Sequence, residues 1–413
     1  MNTIARFGLK APEILLPRAG IDLEAWAVIA CDQYTQDRAY WEQAATARQG
    51  KPSTLSLILP EVYLEDDGTN GAIPAAARIE HIHRAMKRCL AEGVFAAPFT
   101  GMVYVERETA YGRCRAGLVA AIDLEAYDWK PGSAALIRAT EATVPARLPP
   151  RMNIRRGAPL ELPHIMLLVN DPKKHLVEAA GREAKTRSPL YDTPLMPDAG
   201  RVTGWQVRGD AAFNALAGAL ADIERENTAA NGDVFLFAVG DGNHSLASAK
   251  AIWEEYKPHL PAAERGQHPA RYALAEIVNI YDEGLTFEPI HRVVFNAERH
   301  SLAKALENAV NITQDGPALR VSAKNAELAV SSFQPALDAY LSSHPECAAD
   351  YIHGEDEVLR LVQKPGTVGF ILPPIAKESF FSTIAVKGTL PRKSFSMGEA
   401  SEKRFYLECR TLF

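Results

Sequence analysis

The segment Asp233-Val-Phe-Leu-Phe-Ala-Val-Gly-Asp-Gly-Asn-His-Ser-Leu-Ala-Ser-Ala-Lys250 constrains the fold more than any other stretch of this chain. Its apolar run, Val234 to Val239, stops at Gly240. Small or polar residues follow, Asp241-Gly-Asn-His-Ser245, and then Leu246, Ala249, Trp253 and Tyr256 recur at helical spacing. That order predicts a buried strand, a tight loop and a helix. Gly240 and Gly242 can each take φ > 0 and let a ligand come close. A helix leaves its first amides without intrahelical partners and directs its positive dipole end at the loop, which suits an anion. The competing reading is an ordinary strand-to-helix turn with Ser245 as N-cap.

Around this segment the chain alternates strands and helices without strict order, which predicts an α+β fold rather than a doubly wound sheet. Residues 75–92 carry Ile79, Ile82, Met86 and Leu90 on one face and predict an amphipathic helix. Residues 101–107 and 115–124 predict a hairpin, and residues 163–170 and 271–281 predict buried strands. Residues 181–200, rich in Pro, Asp, Thr and Gly, predict a loop, and 201–208 another strand. Asp210 is expected to cap a helix carrying Phe213, Leu216, Leu220 and Ile223, and Thr35 one through Trp41. Another helix is expected at 334–343. With 413 residues, two domains are expected, a core over 1–295 and a smaller C-terminal one over 296–413.

Composition narrows the partners. Lys and Arg total 45 against 51 Asp and Glu, a net charge of −6, which disfavours nucleic acid as the main ligand. Five scattered cysteines without a CxxC pair point to a reducing compartment, hence the cytoplasm, and give no thiolate zinc site. No apolar run is long enough to cross a membrane. No metal site is expected, since His81 and His83, two apart on the helix, face different sides. The Walker, GxGxxG, GxSxG and kinase signatures are missing.

Three further polar clusters carry candidate chemistry. In Arg138-Ala-Thr-Glu-Ala-Thr-Val-Pro-Ala-Arg147 and the following Arg151, Arg155 and Arg156, one carboxylate, Glu141, sits among guanidinium groups suited to phosphate or carboxylate. Glu141 could serve as a general base or orient an arginine; the alternative is a solvated loop with surface ion pairs. The second cluster is Glu288-Pro-Ile-His-Arg292, where His291 and Arg292 are structural or anion-binding. The third is Pro391-Arg-Lys-Ser-Phe-Ser-Met397, where Lys393 could touch phosphate, though a solvent-exposed tail segment is the favoured reading.

The order of these landmarks resembles a large prokaryotic family labelled domain of unknown function 1015. Its Asp-Gly-His-His-Arg loop corresponds to Asp241-Gly-Asn-His-Ser245 here. The Gly117–Leu124 strand, Glu141-Ala-Thr143, Val169-Asn-Asp-Pro172, Pro289-Ile-His-Arg292 and Lys393-Ser394 follow in the same sequence, over roughly residues 15–410. The resemblance implies a ParB/sulfiredoxin-like core with a smaller C-terminal α/β domain, related to enzymes that phosphorylate free serine. It implies ATP or ADP with Mg²⁺, phosphates held by Gly240, Asp241, Gly242, Asn243, His244 and Ser245, and a catalytic set of Glu141, His244 and Arg138. Arg147, Arg151, His291, Arg292 and Lys393 could serve as further anion contacts. The implied activity is phosphoryl transfer from a nucleotide to a small hydroxyl-bearing metabolite, with non-catalytic nucleotide or metabolite binding in a regulator as the alternative. Three departures stand out: Asn243 replaces the first His, Ser245 the Arg, and Thr140 the His usual before the Glu. Losing a guanidinium at a phosphate loop removes a charge-assisted contact worth roughly 1.5–3 kcal/mol.

Overall fold

The computed structural model describes residues 3–196 and 199–413, so residues 1–2 and, within the expected loop at 181–200, residues 197–198 lie outside it. The fold is α+β. The chain forms two compact units: one from Met1–Ala139, Thr143–Leu285 and Glu399–Phe413, the other from Thr140–Ala142 and Thr286–Gly398.

The first unit is organised by a sheet containing β1 (Met102–Glu108), β2 (Cys114–Asp123), β3 (Ile137–Ala139), β4 (Ile165–Val169), β5 (Tyr191–Pro194), β6 (Arg201–Val207), β7 (Phe237–Asp241) and β8 (Tyr272–Asn279). Across the sheet the order is β5-β6-β1-β2-β8-β4-β7-β3. The pairings are antiparallel except β4 with β8 and β7 with β3, which run parallel. Successive side chains of a strand point to opposite faces, and both faces here are covered. Met102, Tyr104, Leu118 and Ala120 join one core with Phe213 and Trp253, while Val103, Val105 and Val119 join another with Trp26, Trp41 and Phe405. Burial on both sides explains why these strands read as near-continuous apolar runs.

The helices of this unit include α1 (Ala75–Ala91), α2 (Leu148–Arg155), α3 (Val177–Ala184), α4 (Asp210–Asn227) and α5 (Asn243–Tyr256). In α1, Ile82 and Met86 of the expected face are buried together with Ala85, while Ile79 is half-buried and Leu90 exposed. Two expectations shift by a residue or more. Asp210 is the first residue of α4 and Gly209 its N-cap. The helix through Trp41 runs Arg38–Ala47 and is capped by Asp37, whose carboxylate accepts the Tyr40 amide, rather than by Thr35. The expected loop over 181–200 is overturned in part, because α3 continues through Ala184 and Tyr191–Pro194 is a strand against β6. Within α3, position 181 is a glycine that lies against the Tyr104 ring, where a Cβ would come within 2.3 Å.

In the second unit, β9 (Phe287–Phe295) is central. The strands β10 (Asn311–Asp315), β11 (Ala318–Ser322), β12 (Ala348–His353), β13 (Thr367–Ile371) and β14 (Phe395–Met397) extend around it. β9 pairs antiparallel with β12, β13 and β14. The helix α6 (Ala326–Ser343) buries Val330, Phe333 and Leu337 in a core with Val294 and Phe370. It starts eight residues before the expected 334–343, with Asn325 accepting the Leu328 amide as N-cap and Pro335 inside.

Candidate functional site

The strand-to-helix turn is tighter than its sequence suggests. β7 runs through Asp241, α5 starts at Asn243, and Gly242 alone connects them with φ +80°. Gly240 does not share that conformation. Val239 pairs with Leu167 and Asp241 with Met166, so Gly240 is the extra residue of a β-bulge that re-aims the strand end. Ser245 is not the N-cap; it lies in the first helical turn, one turn beyond Gly242. A Cβ on Gly242 would stand 3.1 Å from both Cα and Cγ1 of Ile165. Glycine is therefore required twice at this position, by backbone conformation and by close approach of β4.

Side chains of the turn are committed in different directions. Asp241 Oδ1 accepts the Gly242 amide at 3.0 Å, and Asp241 Oδ2 lies 3.5 Å from Lys403 Nζ. Asn243 Nδ2 donates to the Val239 carbonyl at 3.4 Å, while its buried Oδ1 finds no hydrogen-bond partner among the described residues. The Val144 amide donates to His244 Nε2 at 3.3 Å, which places a neutral ring's proton on Nδ1. Half-buried Asp32 stands close enough that burial, and then the charge of Asp241, hold its carboxyl above the usual range.

Ser245 Oγ lies 2.7 Å from His164 Nε2, and His164 Nδ1 lies 3.0 Å from the Tyr406 hydroxyl. The Cys31 amide donates to that same hydroxyl at 3.2 Å. Burial, with Cys31 and Asp32 nearby, pushes the Tyr406 phenol well above its ordinary value, so it stays protonated. His164, Ser245 and Tyr406 line a cavity of roughly 130 Å³ whose other walls include Leu57, Leu59, Met86, Ile154 and Leu162. Its polar rim holds Glu61 in an ion pair with Arg151. A hydroxyl, an imidazole and a phenol are thus in series. His164, Tyr406, Asp32 and Lys403 were not among the expected site residues.

The remaining candidates are distributed. Arg138 is buried and donates to both Asp233 oxygens, to the Ala135 carbonyl at 2.7 Å and to the Val234 carbonyl at 3.1 Å. Its guanidinium is thus committed to an internal ion pair. Arg147 is exposed, and its carbonyl accepts Arg151 Nη1 at 2.8 Å. The second unit holds Glu141, His291, Arg292 and Lys393. Glu141 Oε1 accepts the Ser394 amide at 3.3 Å. Arg292 is fully buried, donates to Gln334, Ile290, His291 and Lys393, and stacks 4.3 Å over the Tyr351 ring. Burial lowers its pKa to about 10. Burial likewise lowers His291 to about 4, and its Nδ1 accepts the Leu372 amide. Arg292 and His291 are therefore internal struts, the structural one of the two readings open in the sequence. Lys393 is exposed, with φ +59°.

Among the described residues no group of three or more His, Cys, Asp or Glu is placed to hold a metal ion, and no helix is long and apolar enough to cross a membrane. All five cysteines are free thiols.

A family model described as "Protein of unknown function (DUF1015)" matches residues 15–378. No curated protein matches the chain in sequence. Solved structures similar to it include a mutant free serine kinase in complex with ADP, at 9% identity and TM-score 0.38, covering 70% of this chain and 90% of that one. A conserved hypothetical protein from Pyrococcus furiosus is similar at 11% identity and TM-score 0.36, covering 71% and 97%. SbnI with a C-terminal truncation, from Staphylococcus aureus, is similar at 9% identity and TM-score 0.34, covering 68% and 82%.

Proposed function

The chain belongs to the DUF1015 family, and from that premise we propose that it binds a nucleotide at the Gly242 turn and transfers a phosphoryl group to a small hydroxyl-bearing metabolite. The observation that carries the reading is the one-residue passage from β7 into α5, which sets the first amides of a 14-residue helix against the end of a buried strand. The orphaned Asn243 Oδ1 gives the same turn an unmet polar contact. Phosphoryl transfer asks chiefly for positioning and charge stabilisation, so a rigid amide cradle with nearby charges is a sufficient frame. The ParB/sulfiredoxin-like description of the core, and a cytoplasmic location consistent with five free thiols, belong to the same proposal.

The residues present fit Mg²⁺ entering with the nucleotide. Asp32 and Asp241 are two carboxylates in mutual repulsion, and Mg²⁺ at phosphate sites is held by one or two carboxylates plus phosphate oxygens. Asp32 and Asp241 would hold it, and it would neutralise phosphate charge. Lys403 is positioned to balance Asp241.

The test is incubation with Mg²⁺ and ATP or ADP against a panel of hydroxyl metabolites that includes serine. A phosphorylated product, lost on Asp241→Asn, is expected. Absence of any product from folded protein would remove the enzyme reading. A second reading, nucleotide or metabolite binding without turnover, is favoured by one observation: Arg138 is bound to Asp233 and Ser245 supplies no guanidinium. It predicts a ligand-induced thermal shift and no product.

A further inference from the structure

We propose that Ser245 is a covalent phosphoryl carrier, with His164 as its base and Tyr406 as the residue that positions His164; this rests on the phosphotransferase reading. The separations, 2.7 Å from Ser245 Oγ to His164 Nε2 and 3.0 Å from His164 Nδ1 to Tyr406, are those of an activated hydroxyl. Ser245 stands in the first turn of α5, beside the proposed phosphate cradle, and also lines the cavity. One hydroxyl therefore borders both the donor and a space for an acceptor. His164 projects from the residue before β4, the strand against which Gly242 is held, so the turn and the base are fixed by the same element.

In the first half-reaction Ser245 Oγ attacks the terminal phosphorus of the nucleotide. The new O–P bond forms as the bond to the bridging oxygen breaks, and the shortened nucleotide leaves with that electron pair. The Ser245 proton passes to His164 Nε2. In the second half-reaction the acceptor's hydroxyl oxygen attacks the phosphoserine phosphorus, the P–Oγ bond breaks, and His164 returns its proton to Oγ. The acceptor's own proton is released to a base or to water. The net change is transfer of one phosphoryl group. A cavity of roughly 130 Å³ walled by Leu57, Leu59, Met86, Ile154 and Leu162 takes an alcohol with a compact apolar body, about the size of a benzene ring.

The experiment reacts the full chain with a fluorophosphonate, which labels activated serines without any nucleotide, and maps the adduct by peptide mass. The same mapping is done after incubation with ATP and Mg²⁺ without acceptor. Both are expected to place their mass on the peptide holding Ser245, and neither on Ser245→Ala. His164→Asn should slow fluorophosphonate labelling by about 100-fold or more. Tyr406→Phe should lower kcat and slow fluorophosphonate labelling with KM unchanged, a split that a purely structural tyrosine would not produce. Adducts mapped in wild type keep the test valid if a variant fails to fold. Labelling at other serines, or turnover by Ser245→Ala at the wild-type rate, overturns the carrier. If wild type binds and consumes nucleotide with no phosphoserine, only this inference falls; if it binds none, the phosphotransferase reading falls with it.

Discussion

Gly242→Ala is expected to destabilise the first unit by about 2–5 kcal/mol. At φ +80° an alanine pays about 1–2 kcal/mol for left-handed backbone. Its Cβ would also press on Ile165 at 3.1 Å, and one of the two atoms met is backbone, Cα, so the neighbour cannot rotate away. Overpacking of this kind adds about 1–3 kcal/mol. The matched control is Gly218→Ala, the same substitution inside α4 at a site with nothing within 4 Å of the new methyl. Relief of unfolded-chain entropy should stabilise that variant by about 0.4–1 kcal/mol. Tryptophans 26, 41, 129, 205 and 253 are all five in the chain, and all lie in the first unit, so intrinsic fluorescence in urea reads this unit's unfolding. Opposite signs for the two variants are predicted. Gly242→Ala as stable as wild type would mean the turn is not under the constraint described, and the rigid cradle built on it would go with it.

Gly181→Ala should also destabilise, because the added methyl meets the Tyr104 ring at 2.3 Å in a buried contact; urea fluorescence checks it. Arg404 is buried and paired with both Glu276 and Glu408; although burial alone would raise Glu276, Arg404 and Arg115 hold its pKa below the ordinary value. Arg404→Met takes the guanidinium from buried Glu408 and leaves Glu276 with Arg115 at 3.8 Å, and should cost about 3–5 kcal/mol by the same assay. His291 has a folded pKa of about 4 against an ordinary 6.5, so the unfolded chain binds the extra proton between those values. Its contribution to stability is complete above about pH 6.5 and lost as pH falls towards 4. Urea unfolding followed by circular dichroism should show that slope, flattened in His291→Gln.

Local periodicity carried much of the fold. The face of α1 and the hairpin of β1 and β2 were visible because neighbours in sequence make those elements. The turn at Gly242 was visible too, as a strand pattern giving way to a helical one across two glycines. Its details were not. That Gly240 makes a bulge and only Gly242 takes φ > 0 depends on the register against β4, which no local pattern carries. The strand Tyr191–Pro194 was hidden by its Asp, Thr and Pro, which read as loop until β6 supplies the partner. The arginine-rich segment was misleading in another way: guanidinium groups suit phosphate and structural ion pairs equally, and Asp233, 95 residues from Arg138, decides the case. Ser245 meets His164 and Tyr406 across 81 and 161 residues of chain, the latter through His164, so that series is legible only in three dimensions.

The most direct measurement is a crystal structure of the protein soaked with ADP and Mg²⁺. The account predicts phosphate density within hydrogen-bonding distance of the α5 first-turn amides, with the metal against Asp32 and Asp241. A nucleotide bound elsewhere, or ordered protein with none bound at saturating concentration, contradicts it.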